Sequence, residues 1–304
     1  AEVFGRDYAF LPQNQLLTFE EIERLVKIFA SFGVDKIRLT GGEPLLRKGL
    51  PELIEKILKV EGIQDVSLTT NGILLGTYAE QLKKAGIKRI NVSLDSLDSK
   101  TYGEMNGRHF PVEKVLRSIE KAAATGLHIK INMVVQKDSN DQDIIPMAKY
   151  CFEKGYTLRF IEYMDVGNTN RWNMAQVVPS QHILELLHKE MPVQPVVSND
   201  NGEVAKRYKY VGTNKEIGFI SSVTEAFCSD CNRARISADG KLYTCLFATT
   251  GTDVKAILQN QCDEAVKLQL MNIWRYRYDR YSEERNSLNE TRSNNKIEMS
   301  YIGG

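Results

Sequence analysis

Three cysteines stand in one short stretch, as Cys228-x2-Cys231-x13-Cys245, with Arg233 and Arg235 between the second and the third. Thiolates so close in sequence can grip one metal centre, and the third returns on a hairpin whose turn is expected at Asp239-Gly240. A structural zinc takes four ligands, and the nearest histidines, His182 and His188, lie far upstream. Three sulfurs beside two cations suit an iron–sulfur cluster with one open iron, next to a site for an anion. Spacing alone leaves open a zinc knuckle with a distant fourth ligand, or thiols with no common role. The two other cysteines, Cys151 and Cys262, lack metal-ligand spacing and read as structural.

A second set of polar residues lies on what read as strands. Runs at residues 36–40, 65–71, 89–95, 128–135 and 157–164 alternate, and helical periods fall between them. One parity carries Arg38, Thr40 and Gly42, then Ser67 and Thr69, Asn91, Ser93 and Asp95, and Lys130 and Asn132; the other is aliphatic. The 157–164 run is less clean, with Glu162 and Met164 in phase with Leu158 and Phe160. A parallel sheet clad on both faces is apolar on both, so one polar face predicts a helix-clad sheet curved around an open interior. The expected fold is therefore α/β, an incomplete βα barrel of the TIM type. Thr40-Gly-Gly-Glu-Pro44 falls at the C-terminal end of a strand, where such folds bind ligands. Arg38 and Lys130 on the inner face could both meet a phosphate; pairing with Asp95 or Glu162 is the alternative.

After Met164 the rhythm stops. A helix is expected over 177–191, a connection around Pro192 and Pro195, and then short strands at 205–211, 217–223, 235–237 and 242–246. A further helix is expected over 262–278, and 282–296 reads as a polar linker. The division is placed at 1–166 and 167–304. The 304 residues carry a formal net charge of +1, which argues against a general nucleic-acid or membrane-surface binder. The basic and aromatic run from Trp274 to Tyr281 reads as a helix end with solvated arginines. No run reaches the roughly eighteen apolar residues of a transmembrane helix. The cysteine usage fits a reducing, cytoplasmic setting.

Together, KIRLTGGEPLLR, LTTNG, INVSLD, RFIEYMDVGN, the cysteine set with NRAR, and the terminal Gly-Gly resemble the GTP 3′,8-cyclase family of radical S-adenosylmethionine enzymes. The resemblance spans essentially the whole chain. It implies cyclisation of GTP to (8S)-3′,8-cyclo-7,8-dihydroguanosine 5′-triphosphate, the first step of molybdenum cofactor biosynthesis. It implies that Gly42, Ser93 and Met164 hold S-adenosylmethionine, and that Arg38, Thr69, Lys130, Arg233, Ala234 and Arg235 hold GTP. Cys228, Cys231 and Cys245 would hold a second [4Fe–4S] cluster, and the Gly303-Gly304 tail would reach the active site from a C-terminal domain that closes the barrel. Implied partners are a flavodoxin or ferredoxin as reductant and cyclic pyranopterin monophosphate synthase as recipient of the product, with room for a homodimer. The family's first cluster is held by Cys-x3-Cys-x2-Cys, a pattern absent from these 304 residues. AEVFGRD matches the segment just after it, so a truncated chain unable to form the 5′-deoxyadenosyl radical is expected. A peptide-modifying radical enzyme and a zinc-stabilised nucleotide-binding module are the competing readings.

Overall fold

The computed structural model describes residues 11–107, 110–167, 172–197, 203–225, 228, 231–283 and 297–303. Its first helix, α1 (Phe19–Ala30), starts with a reciprocal cap. The Thr18 hydroxyl accepts from the Glu21 N–H at 3.1 Å, and the Glu21 carboxylate accepts from the Thr18 N–H at 2.8 Å. Gly33, at φ +88°, supplies the left-handed backbone just beyond its end.

Five parallel strands follow in sequential order: β1 (Lys36–Leu39), β2 (Asp65–Thr70), β3 (Arg89–Ser93), β4 (His128–Val135) and β5 (Thr157–Glu162). Between them run α2 (Leu50–Leu58), α3 (Leu75–Lys84), α4 (Ser99–Asn106), α5 (Val112–Ala124) and α6 (Ile144–Lys154). No apolar period in the sequence marks α4; it is held at its start by the Asp98 side chain, which accepts from the Thr101 N–H at 2.9 Å. Apolar residues of the strands, among them Leu68, Val92, Ile131 and Phe160, are buried against the helices with Ile57 and Ile119. This covers one face of the sheet and leaves the other polar.

The sheet does not end at residue 166. After α7 (Ser180–Glu190), β6 (Val193–Pro195), β7 (Lys206–Tyr210) and β8 (Glu216–Ile220) extend it, in the order β5-β8-β7-β6. β8 joins β5 in parallel, and Ile183, Leu187, Ile217 and Phe219 enter the main core. The expected connection around Pro192 and Pro195 is thus in part a strand. Pro195 is tolerated because β6 is the outermost strand of the sheet. The predicted hairpin is present as β9 (Arg235–Ile236) and β10 (Lys241–Tyr243), with Gly240 at φ +87° in the turn. Arg235 opens β9, and Arg233 precedes the strand.

A second, smaller core joins α1 to the C-terminal part. Leu17, Leu25 and Ile28 meet Leu242 of β10, Val254 and Leu258 of α8 (Val254–Asn260), and Val266 of α9 (Asp263–Arg275). Arg24 adds a polar tie: it donates to the carbonyls of Leu258 (2.5 Å) and Gln261 (2.8 Å) and to the Asp263 carboxylate (2.6 Å). These bonds quench the open C-terminus of α8. Arg24→Ala is expected to lower unfolding stability by about 1–2 kcal/mol, measured by denaturant titration, with the carbonyls of α8 returned to water. An unchanged midpoint would show that the small core alone docks the two parts.

Candidate functional site

The register fixes which residues share the polar face. Arg38 stands opposite Ser67, which stands opposite Arg89. Thr69 stands opposite Asn91, which stands opposite Lys130. Ser93 stands opposite Asn132, which stands opposite Arg159, and Arg159 stands opposite Gly218. A Cβ on Gly218 would lie 3.3 Å from Cγ of Arg159 and 3.4 Å from Cβ of Ala205, so glycine there leaves the arginine stem its space.

The charges on this face are unusual for their sign. Burial lowers the Arg159 guanidinium to about 10, helped by Arg38 and Arg89. Arg38 keeps access to water, yet protein around its head lowers it too, with Arg89 and Arg233 adding to the effect. In a flat sheet β1 and β5, four ladders apart, would be separated by about 19 Å. That Arg38 and Arg159 nonetheless act on one another is in keeping with a sheet that curves between β1 and β5. Burial and the charges of Arg159 and Arg89 push the Lys130 amine down to about 8, with Glu216 and Glu203 opposing. Among the described residues Arg89 pairs with Asp65 and Arg207 with Glu216, whereas Arg38, Arg159 and Arg235 form no ion pair.

Lys130 does not pair with Asp95 or Glu162, the alternative left open by the sequence. Asp95 accepts from the Val134 N–H at 2.9 Å, and burial raises it to about 6. Glu162 lies on the helix side, fully buried among backbone donors. Glu43 of the Gly-Gly-Glu-Pro turn is likewise a brace, accepting from the Thr70 hydroxyl (2.7 Å) and the N–H groups of Asn71 (2.9 Å) and Leu45 (3.1 Å). It fixes the end of β1 to the end of β2 and leaves Gly41 and Gly42 with nothing within 4 Å of where a Cβ would stand. Ser93 is exposed at the end of β3, and Met164 is half-buried just beyond β5. The side-chain oxygen of Asn132, buried beside them on this face, has no hydrogen-bond partner among the described residues. Such an atom is costly unless a ligand fills it.

The cysteine segment comes near β1, since Arg233 and Arg235 are close enough to Arg38 for their charges to interact. Cys228, Cys231 and Cys245 are half-buried and free, and the charges of the first two act on the third. Arg233 donates to Cys231 Sγ at 3.3 Å, and the Phe247 N–H donates to Cys245 Sγ at 3.4 Å. Burial would raise the Cys231 thiol, but Arg233 and its hydrogen bonds outweigh this and bring it below the ordinary value. No three His, Cys, Asp or Glu side chains among the described residues converge on a single-ion position. A cluster that offers each thiolate its own iron does not ask for that convergence. The donor set, soft thiols receiving N–H bonds, fits such a cluster.

Arg235 closes the site. Burial lowers it to about 10, with Arg233 and Arg38 nearby, and its Nε donates to the carbonyl of Gly303 at 3.2 Å. Gly303 lies so close to Thr40 that a Cβ on it would come within 2.4 Å of Thr40 Cγ2. Ala234 is exposed between the two arginines. Gly304 and most of the expected linker lie outside the described residues. In the Trp274–Tyr281 run, Arg277 is not simply solvated: it stacks on Trp274 at 3.8 Å and donates to the carbonyl of Cys231. Arg159 and Asn132 are site residues that the sequence did not single out. Asn132 is visible in the polar parity, whereas Arg159 is a lone polar residue between Leu158 and Phe160, on a strand whose phase is confused by Glu162.

Residues 5–151 match the model of the Radical SAM superfamily, and residues 156–283 match that of Molybdenum Cofactor Synthesis C. The class is therefore a radical S-adenosylmethionine protein, and S-adenosylmethionine and iron–sulfur chemistry come with it. The chain is 46% identical, over its whole length and 90% of theirs, to proteins named GTP 3′,8-cyclase from Staphylococcus epidermidis and Staphylococcus aureus, and 44% identical to one from Staphylococcus haemolyticus. It belongs to the GTP 3′,8-cyclase family, whose reaction opens molybdenum cofactor biosynthesis. Among solved structures it is similar to SuiB of Streptococcus suis bound to S-adenosylmethionine (TM-score 0.59, 15% identity, 92% of this chain and 62% of that one). It is also similar to anSMEcpe with bound AdoMet (TM-score 0.54, 17% identity, 86% and 72%). At these identities the two likenesses bear on the fold alone.

The depressed Lys130 value has a definite sign in stability. The unfolded lysine keeps its proton to about pH 10, whereas the folded amine loses it near pH 8. Between these values the unfolded chain binds more protons, so the ligand-free protein gains stability as pH rises through that window. Lys130→Met is expected to remove this gain, read as the difference between the two proteins' melting temperatures at pH 7.5 and pH 9.5. A constant difference would refute the burial of a strained charge there.

Proposed function

We propose that the cationic wall holds the triphosphate of GTP. Arg38, Thr69 and Lys130 would meet it from the sheet, and Arg233, Ala234 and Arg235 from the hairpin segment, with Arg159 as a further cation. The observation that carries this reading is the gathering of arginines from β1, β3, β5 and the hairpin around one space in which three of them form no ion pair among the described residues. A polyanion is the ligand that relieves such mutual repulsion, and planar guanidinium groups can hold phosphate oxygens two at a time.

In the same reading Cys228, Cys231 and Cys245 would hold a [4Fe–4S] cluster, which would supply an open iron to the guanine base, and Gly42, Ser93 and Met164 would hold S-adenosylmethionine. In the family's reaction S-adenosylmethionine would supply the radical chemistry that joins C3′ of the ribose to C8 of guanine, and the Cys-x3-Cys-x2-Cys set that would hold the cluster reducing it is not among these 304 residues. The chain's own task is orientation. The arginines fix the phosphate end of the nucleotide, and the sheet and hairpin keep water from the sugar between them. Gly303, bonded to Arg235, places the tail where it can cover the bound nucleotide. A flavodoxin or ferredoxin as electron donor and cyclic pyranopterin monophosphate synthase as recipient of the product follow from this reading.

Arg235→Ala is expected to weaken GTP binding by roughly tenfold or more, measured by equilibrium dialysis on the anaerobically reconstituted protein. Near-normal affinity would remove Arg235 from the site. Metal analysis of the same material tests the cysteine assignment. Roughly four irons per chain and little zinc are expected, and stoichiometric zinc without iron would favour a zinc-stabilised module.

A further inference from the structure

The stretch Glu162-Tyr163-Met164-Asp165 carries two acids that the proposed chemistry does not use. Both are buried, Glu162 at 0% exposure and Asp165 at 1%. A buried carboxylate is tolerable only when its oxygens are filled by donors. Glu162 Oε1 accepts from the Ser180 N–H at 2.8 Å and the Thr224 hydroxyl at 2.6 Å. Its Oε2 accepts from the N–H groups of Val223 and Thr224, each at 2.9 Å. Asp165 accepts from the hydroxyl of Tyr281, whose ring stacks on Phe247 with centroids 4.5 Å apart and planes at 21°.

The partners of Glu162, and the ring on which Asp165's partner Tyr281 stacks, flank the cysteine segment. Val223 and Thr224 come shortly before Cys228 in the chain, and Phe247, which donates to Cys245 Sγ, comes shortly after Cys245. Met164 lies between the two acids. We infer that Glu162 and Asp165 are positioning residues, a clasp that fixes both flanks of the cysteine segment against the end of β5. The clasp sets where Cys228, Cys245 and the intervening Arg233 and Arg235 stand relative to Met164. The inference rests on the proposed function, because it concerns the spacing of that reading's two walls.

The discriminating variants keep volume and remove only the polar fit. Glu162→Gln replaces one acceptor oxygen by an NH2 group, which cannot accept from the donors it would face. Tyr281→Phe keeps the ring stack and loses the bond to Asp165. On the anaerobically reconstituted full chain, Glu162→Gln is expected to retain its iron but to lose or broaden the change that GTP makes in the electron paramagnetic resonance of the reduced cluster. Its GTP affinity should fall at least about fivefold, and hydrogen exchange of the Val223 and Thr224 amides should speed up about tenfold. Tyr281→Phe should shift the same readouts in the same direction by less, and it decides the question if Glu162→Gln does not fold. The clasp is overturned if both variants keep the wild-type spectral response and an affinity within about twofold. It is also overturned if the two amides exchange at wild-type rates in Glu162→Gln. Wild-type protein that ignores GTP would overturn the proposed function, and the exchange rates alone would then decide whether the clasp exists.

Discussion

Like charges crowded into a space walled by protein are the constraint on which this structure turns. Arg38, Arg159 and Arg235 come from β1, from β5 and from the hairpin, and each is made less basic by the protein around its head and by other arginines. Guanidinium groups stay charged at neutral pH even at values near 10, so the repulsion cannot be relieved by losing protons. Packing elsewhere must hold it. The large apolar core behind the sheet and the small core joining α1 to α8 and α9 supply that hold. In the proposed reading a polyanion would relieve this repulsion, as in a preorganised binding site.

The polar face could be rigid only because acids near the strand ends are used as braces. Glu43 and Glu162 direct their oxygens to N–H and hydroxyl groups of neighbouring turns, and Asp95 takes the N–H of Val134. None of the three carries an ion pair with a site cation among the described residues. Acids that read in sequence as possible partners of Lys130 turn out to be joints of the scaffold. The cations they would have neutralised are left facing the interior.

Much of this architecture is legible in the amino-acid sequence. Strict alternation of Asn91, Ser93, Lys130 and Asn132 with aliphatic residues announces a one-sided sheet, and the bounds of β1 to β5 fall within two residues of the expected strands. The thiol pair and the Asp239-Gly240 turn announce the hairpin. What stays hidden is whatever depends on distant contacts. Arg159 gains its meaning from curvature that sets it near Arg38. The strand character of Val193–Pro195 comes from pairing with β7, against the local signal of two prolines. The dividing point near residue 166 reflects a change of rhythm, but β8 adds to β5 across it, because a sheet edge can be completed by any later strand of suitable pattern. α4 has little apolar period and depends on its cap.

The central claim is that the phosphates, more than the base, draw the nucleotide into the cationic wall. The most direct measurement is a calorimetric titration of the anaerobically reconstituted protein with GTP, GMP and guanosine at two salt concentrations. Affinity is expected to fall steeply from GTP through GMP to guanosine, with the difference shrinking as salt rises. Guanosine binding as tightly as GTP, with no salt dependence in either, would contradict it.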